Sequence, residues 1–216
     1  MIKAIIFDLG RVIVGFNDQK PAEALTKYTK KYQSTIYYAM FRSKHYEEFV
    51  LGRITPAKFY SEVKKDLKLT CSFAKFKFIW NSMFSKRKNV EQMIRKLKQN
   101  KGKSKVNSNH YCLILLSDTN KLHFESILKN YPIIKEFDDV VVSYKQGCKK
   151  PSKKIFLIAL KKAKELANAE PDECLYFDDL IENIDAAKEL GINAVQYTRF
   201  HDLISAFKKF GIDVPK

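Results

Sequence analysis

No stretch of the 216-residue chain approaches the roughly 20 consecutive apolar residues of a membrane-spanning helix. The opening MIKAIIFDLG has neither the length nor the small-residue cleavage site of a secretory signal. A soluble, cytoplasmic protein with no membrane partner is therefore expected. Cysteine is scarce: Cys71, Cys112, Cys148 and Cys174 form no C-x-x-C pair, so their spacing offers no zinc site, and four are few for a disulfide scaffold. Reduced, structural thiols are the expectation. Acidic residues are in deficit, 24 Asp and Glu against 40 Lys and Arg, which leaves a formal charge of +16. Such a surface attracts anions, whether polynucleotides, acidic lipids or small phosphorylated metabolites. The lysines are scattered through helical segments and not gathered into one tail, as in an ordinary solvated face. Neither zinc-finger spacing nor the aromatic motif of RNA-binding sheets is present, so nucleic acid is not an expected partner. Internal repeats are absent too.

Apolar material is not lacking. A hydrophobic share of 45% argues against extended disorder, and the length suits one domain carrying a smaller insert. Short apolar runs at 2–9 (IKAIIFDL), 111–116 (YCLILL), 139–142 (DVVV), 174–177 (CLYF) and 192–197 (INAVQY) read as strands buried on both faces. Helical patterns at 152–167 and 182–190 fall between them, the second closed by Gly191. Strands alternating with helices predict an α/β fold, a Rossmann-like parallel sheet with helices on both faces. Residues 16–86 break the alternation, with several helical patterns and no convincing strand. Thr55-Pro56 is a helix start there, and aromatics from Tyr28 to Phe84 can give an all-helical insert its own core. The expected division is 1–15 with 87–216 as core and 16–86 as insert. Residues 100–109 (NKGKSKVNSN) read as a flexible basic loop.

Ligands of open parallel sheets bind beyond the carboxyl ends of the strands. Those ends carry Asp8, then Ser117, Asp118 and Thr119, then Lys150 in the loop after the third run, then Asp178 and Asp179. Taken singly, each has a plain structural role as a turn former, a helix cap or a solvated charge. Together they place carboxylates, a hydroxyl and a lysine on one sheet edge, the equipment for holding a phosphate beside a divalent cation.

The segments FDLG at 7–10, LLSDTN at 115–120, Lys150-Pro151 and YFDDLIENIDAAKELGI at 176–192 resemble the four motifs of the haloacid dehalogenase superfamily. They are most similar to the branch with a helical cap after the first strand, which includes sugar-1-phosphate phosphatases. The resemblance implies Mg²⁺-dependent phosphoryl transfer through an aspartyl-phosphate, on a small phosphorylated substrate. It makes Asp8 the nucleophile, Ser117 a hydrogen-bond donor to a phosphoryl oxygen and Lys150 the neutralising cation, with Asp118 also toward the phosphate. Arg11, where relatives often have asparagine, is expected either to reach the phosphate or an anionic part of the substrate, or to be a solvated charge. The ion falls to Asp8, the Gly10 backbone carbonyl and Asp179, with Asp178 acting through water. Asn183 is expected either to steady Asp179 or a metal-bound water, or to pack its helix.

One departure from the family pattern matters. Related phosphatases carry a second aspartate two residues after the nucleophile, as general acid and base, where this chain has Gly10. Losing such a group costs on the order of 10²- to 10⁴-fold, least for good leaving groups. A sugar 1-phosphate is accordingly the preferred substrate. Asp18, His45 and His123 are the chemically competent replacements, although His123 reads better as helix packing. A haloacid dehalogenase is a weaker alternative, since extra carboxylates repel a haloacid and a halide displacement needs no divalent cation. The alternative of another class is a catalytically idle binding or regulatory protein on the same fold.

Overall fold

The computed structural model describes residues 1–99 and 111–212, so the basic loop expected at 100–109 lies outside the described residues. The chain enters through β1 (Ala4–Phe7), four consecutive apolar residues that are wholly buried. A short strand, β2 (Val14–Phe16), leads into five helices: α1 (Gln19–Leu25), α2 (Gln33–Phe41), α3 (Lys44–Val50), α4 (Pro56–Leu67) and α5 (Phe73–Trp80). The return strand β3 (Phe84–Lys86) precedes α6 (Lys88–Gln99). Then come β4 (Cys112–Ser117), α7 (Lys121–Asn130), β5 (Asp139–Val142), α8 (Ser143–Gln146), α9 (Lys153–Ala167), β6 (Cys174–Asp178), α10 (Ile181–Lys188), β7 (Asn193–Gln196) and α11 (Phe200–Lys209).

The main sheet has the order β5-β4-β1-β6-β7, and every pairing in it is parallel. This is the expected α/β, Rossmann-like architecture. Side chains alternate across it. Ile5, Phe7, Leu113, Leu115, Leu175 and Phe177 pack on one face with Ile94 of α6 and Phe207 of α11. Ala4, Ile6, Ile114, Leu116 and Tyr176 pack on the other with Ile155, Phe156 and Ala159 of α9. With both faces covered, neither parity needs polar residues, so the strands read as unbroken apolar runs.

The insert gathers an aromatic core of its own, to which Leu122 of α7 is joined. Trp80 stacks on Phe41 at 5.0 Å and on Phe76 at 5.8 Å between ring centroids, with Phe59 tilted against it at 5.2 Å. Helix α4 starts as its sequence demands: Thr55 accepts a hydrogen bond from the Lys58 amide, and Pro56 opens the first turn. One expectation is corrected. The sequence of 16–86 shows no convincing strand, yet β3 lies within it and pairs antiparallel with β2, which ends on its first residue, Phe16 opposite Phe84. Three residues are too few to display a period of two.

A close approach joins insert and core just past α3. Gly52 has φ +70°, and a Cβ there would fall 2.0 Å from the Tyr144 carbonyl oxygen. We expect Gly52→Ala to lower stability by about 2–3 kcal/mol, from left-handed strain plus a backbone clash. Urea denaturation checks this; a change under about 0.5 kcal/mol, the size of an ordinary surface substitution, contradicts it. All four cysteines are buried free thiols. No helix among the described residues is long and apolar enough to cross a membrane.

Candidate active site

Strand β1 runs between β4 and β6, so the carboxyl ends of all three adjoin. The Asp8 amide donates to the Phe177 carbonyl at 2.9 Å, which holds Asp8 beside the end of β6. Ser117 closes β4, fully buried. Lys150 reaches these ends from the loop between α8 and α9, its side chain only 3% exposed. Its Nζ donates to Asp8 Oδ1 at 2.6 Å and to Asp178 Oδ2 at 2.7 Å. The same residue's amide donates to Asp118 Oδ1 at 3.0 Å, fixing the loop that delivers the ammonium. Asp8, Asp178 and Lys150, remote in sequence, thus form one buried cluster.

Asp178 is thoroughly engaged. Its Oδ1 accepts from the Leu180 amide at 2.8 Å and from Asn183 Nδ2 at 3.0 Å, and its Oδ2 also accepts from the Tyr176 hydroxyl. Asn183 therefore bonds Asp178, where the sequence reading had offered Asp179. Tyr176 was missed altogether. It lies inside an apolar strand run, and the one signal available was its spacing of two from Asp178, which puts both side chains on one face of β6.

Charge in this cluster does not balance. Burial is the largest influence on every member. It pushes Asp8 up to about 8, with Asp178 adding to the rise and Lys150 opposing it. Burial also works against ionised Asp178, but the Lys150 charge and the hydrogen bonds from Lys150, Tyr176 and Leu180 prevail and hold it below the usual carboxylate range. Lys150 stays above its ordinary value because Asp8, Tyr176 and Asp178 outweigh its burial. Burial raises Asp118, against the Lys150 charge, and also raises Asp179, with Asp178 adding and Arg11 opposing. Asp8 and Asp178 share one buried ammonium while Asp179 faces Arg11, so carboxyl groups at the tips of β1 and β6 outnumber the cations beside them, and a further cation would suit the site. The donors are all hard oxygens, which suit Mg²⁺ or Ca²⁺ over softer metals. Among the described residues no three His, Cys, Asp or Glu side chains converge closely enough to hold a metal. Asp179 turns instead to Arg11, 3.5 Å away.

Arg11 occupies the left-handed region, φ +58°, directly after Gly10. Its guanidinium lies 3.6 Å from Asp18 and 5.1 Å from the centre of the Phe16 ring. Asp18 in turn accepts from the Tyr37 hydroxyl of α2 at 3.0 Å. Asp18 is thus linked to the strand tips through Arg11. Both histidine candidates are engaged elsewhere. His45 faces Glu62 and Asp66 of α4 at 3.8 and 4.0 Å. The buried His123 ring stacks on Trp80 at 4.6 Å, with Asn120 Nδ2 3.0 Å from its Nδ1 and the Trp80 carbonyl 3.3 Å from its Nε2.

Burial pushes His123 down to about 3 from an ordinary 6.5. Between those values only the unfolded chain takes up the proton, so stability falls as pH drops from 6.5 toward 3. In His123→Gln this acid-side slope flattens by up to one proton. Denaturation at a series of pH values checks it; an unchanged slope contradicts the burial of a neutral ring.

The fold and site together are a parallel sheet covered on both faces, with acidic residues at adjoining strand tips and a buried lysine between them. Residues 2–191 match the profile of the haloacid dehalogenase-like hydrolases, and the chain belongs to that family. It is 27% identical over 202 residues to the D-ribitol-5-phosphate phosphatase of Bacteroides thetaiotaomicron, covering 91% of this chain and 92% of the relative. It is 33% identical over 117 residues to an uncharacterised hydrolase of Schizosaccharomyces pombe, a match over 53% of this chain that spans only about half, 47%, of that relative. A haloacid dehalogenase family enzyme of Bacteroides thetaiotaomicron, solved with magnesium and inorganic phosphate, superimposes with a TM-score of 0.80 at 24% identity. That alignment covers 96% of this chain and 100% of the other and shows a shared fold.

Proposed function

We propose that this hydrolase is a Mg²⁺-dependent phosphatase of small phosphorylated metabolites, working through an aspartyl-phosphate on Asp8. The observation that carries the reading is the buried cluster in which Asp8 and Asp178 share the Lys150 ammonium at the strand tips. The phosphatase relative, matched over most of both chains, supports it. In the first step an Asp8 oxygen attacks phosphorus and the bond to the leaving oxygen breaks. Lys150 offsets the charge of the incoming phosphate, and Ser117 hydrogen-bonds a phosphoryl oxygen. Asp8, the Gly10 carbonyl, Asp179 and Asp178 would hold a Mg²⁺ ion, which would supply positive charge to offset the repulsion between a carboxylate and a phosphate dianion. Water then attacks the aspartyl-phosphate and regenerates Asp8. The helical insert, taken as 16–86, covers the site and selects the substrate.

The substrate class we infer is a sugar or polyol phosphate. With Gly10 in place of an acid, anomeric 1-phosphates should turn over faster than esters of primary alcohols, because their leaving oxygens need less protonation. Gly10 also favours a second reading, an idle binding protein of the same fold. A panel of hexose 1- and 6-phosphates, ribitol 5-phosphate and an aryl phosphate, assayed with Mg²⁺ and with excess chelator, separates the two. We expect hydrolysis that chelator abolishes, with aryl and 1-phosphates fastest. Turnover that survives chelation contradicts the metal-dependent route, and no turnover of any ester favours the idle reading.

A further inference from the structure

We propose that Arg11 is a catalytic residue at the leaving-group oxygen, standing in for the acid that Gly10 lacks, with Asp18 as its positioning residue. The inference rests on the phosphatase reading. Arg11 adjoins Gly10 in sequence and holds a backbone conformation, φ +58°, that a long side chain rarely adopts. Such a residue persists where its surroundings fix it, and fixed, strained residues concentrate at functional sites. The surroundings here are definite: Asp179 at 3.5 Å, Asp18 at 3.6 Å and the Phe16 ring at 5.1 Å. Tyr37 of the insert secures Asp18 from behind at 3.0 Å. The Arg11 side chain as a whole nevertheless remains 45% exposed. It lies between Asp179, the carboxylate proposed to face the ion, and Asp18, which precedes the first helix of the insert.

The chemistry follows from the side chain. A guanidinium keeps its protons but offers several donors in a fixed fork. As the Asp8–phosphorus bond forms, the electron pair of the breaking phosphorus–oxygen bond passes to the leaving oxygen. Arg11 stabilises that charge by hydrogen bonding, and the alkoxide then takes its proton from water, not from the protein. A preorganised donor at a developing charge contributes about 10²- to 10³-fold. The benefit is large for alkyl esters and small for aryl esters, whose rings already spread the charge. A Cβ at Gly10 would make only ordinary contact, with the Phe16 ring at 3.9 Å, so the backbone there accepts a side chain's first atom.

The test uses the full chain with Mg²⁺ and phosphate esters graded by leaving-group basicity, from nitrophenyl to primary alkyl. In Arg11→Gln we expect kcat/KM to fall about 10²-fold for alkyl esters and no more than about threefold for nitrophenyl phosphate. Asp18→Asn should give a smaller loss that again falls on alkyl esters more than on nitrophenyl phosphate, which a merely structural role would not. In a Gly10→Asp background, Arg11→Gln should cost no more than about threefold on any ester, because a true acid again serves the oxygen. Equal loss across the series, in Arg11→Gln or in the more conservative Asp18→Asn, overturns the proposal, as does no loss. A wild-type chain that hydrolyses none of the esters overturns the phosphatase reading and this inference with it, whereas an active wild type with a uniform Arg11 effect overturns the inference alone.

Discussion

Asp8→Asn is expected to lower phosphate-ester hydrolysis by at least about 10⁴-fold, the scale reached when a covalent nucleophile is removed. The amide is isosteric and still presents a carbonyl oxygen to Lys150, whose Nζ lies 2.6 Å from Asp8 Oδ1 in the wild type. Neither the strand pairing of Phe7 with Leu115 and Phe177 nor the Asp8 amide bond to Phe177 involves the altered atoms. The fold should therefore survive while the attack fails. Steady-state rates beside a thermal melt check both halves. Activity within tenfold of wild type removes Asp8 from the mechanism; an unfolded variant shows instead that the carboxylate is structural.

Lys150→Met is expected to damage stability and turnover together. The lysine side chain is 3% exposed, and its two carboxylate partners are 9% and 1% exposed. Deleting the ammonium leaves Asp8 and Asp178 buried without the cation that lies between them. Breaking a buried ion pair in this way costs about 3–5 kcal/mol, because the abandoned charge remains desolvated. The loss should be greatest in cation-free buffer, and the double variant Asp8→Asn with Lys150→Met should recover part of it, since one abandoned charge is gone. Urea titrations of the single and double variants in chelator measure this coupling. A single-variant loss below about 1 kcal/mol, the range of an exposed pair, shows that the cluster is not a tightly coupled buried unit.

Much of this arrangement is legible from residues alone, for identifiable reasons. AIIF and DVVV announce buried parallel strands because sheets covered on both faces require unbroken apolar runs. Asp8 and Asp178 stand out because a carboxylate terminates each run just where strand ends gather ligands. Lys150 is a different case. Its place in the loop after the third apolar run put it among the strand-end candidates, but its separation of 142 residues from Asp8 offers no local clue to their pairing, and the resemblance of four ordered motifs gave it its role. The role of Tyr176 was hidden because a tyrosine in an apolar strand is ordinary core, its hydroxyl becoming informative only once Asp178 is seen on the same face. The hairpin of β2 and β3 escaped because its strands are three residues long. The link from Asp179 through Arg11 to Asp18 was equally unreadable, because it depends on one left-handed residue that no propensity assigns to arginine.

The most direct measurement is to quench the protein with acid during turnover of a radiolabelled phosphate ester with Mg²⁺ and to map the label by peptide mass spectrometry. The account predicts a phosphoryl group on Asp8 that is absent after chelation and absent from Asp8→Asn. Steady hydrolysis with the label on another residue, or with no protein-bound label under conditions where phosphate is released in a burst, contradicts it.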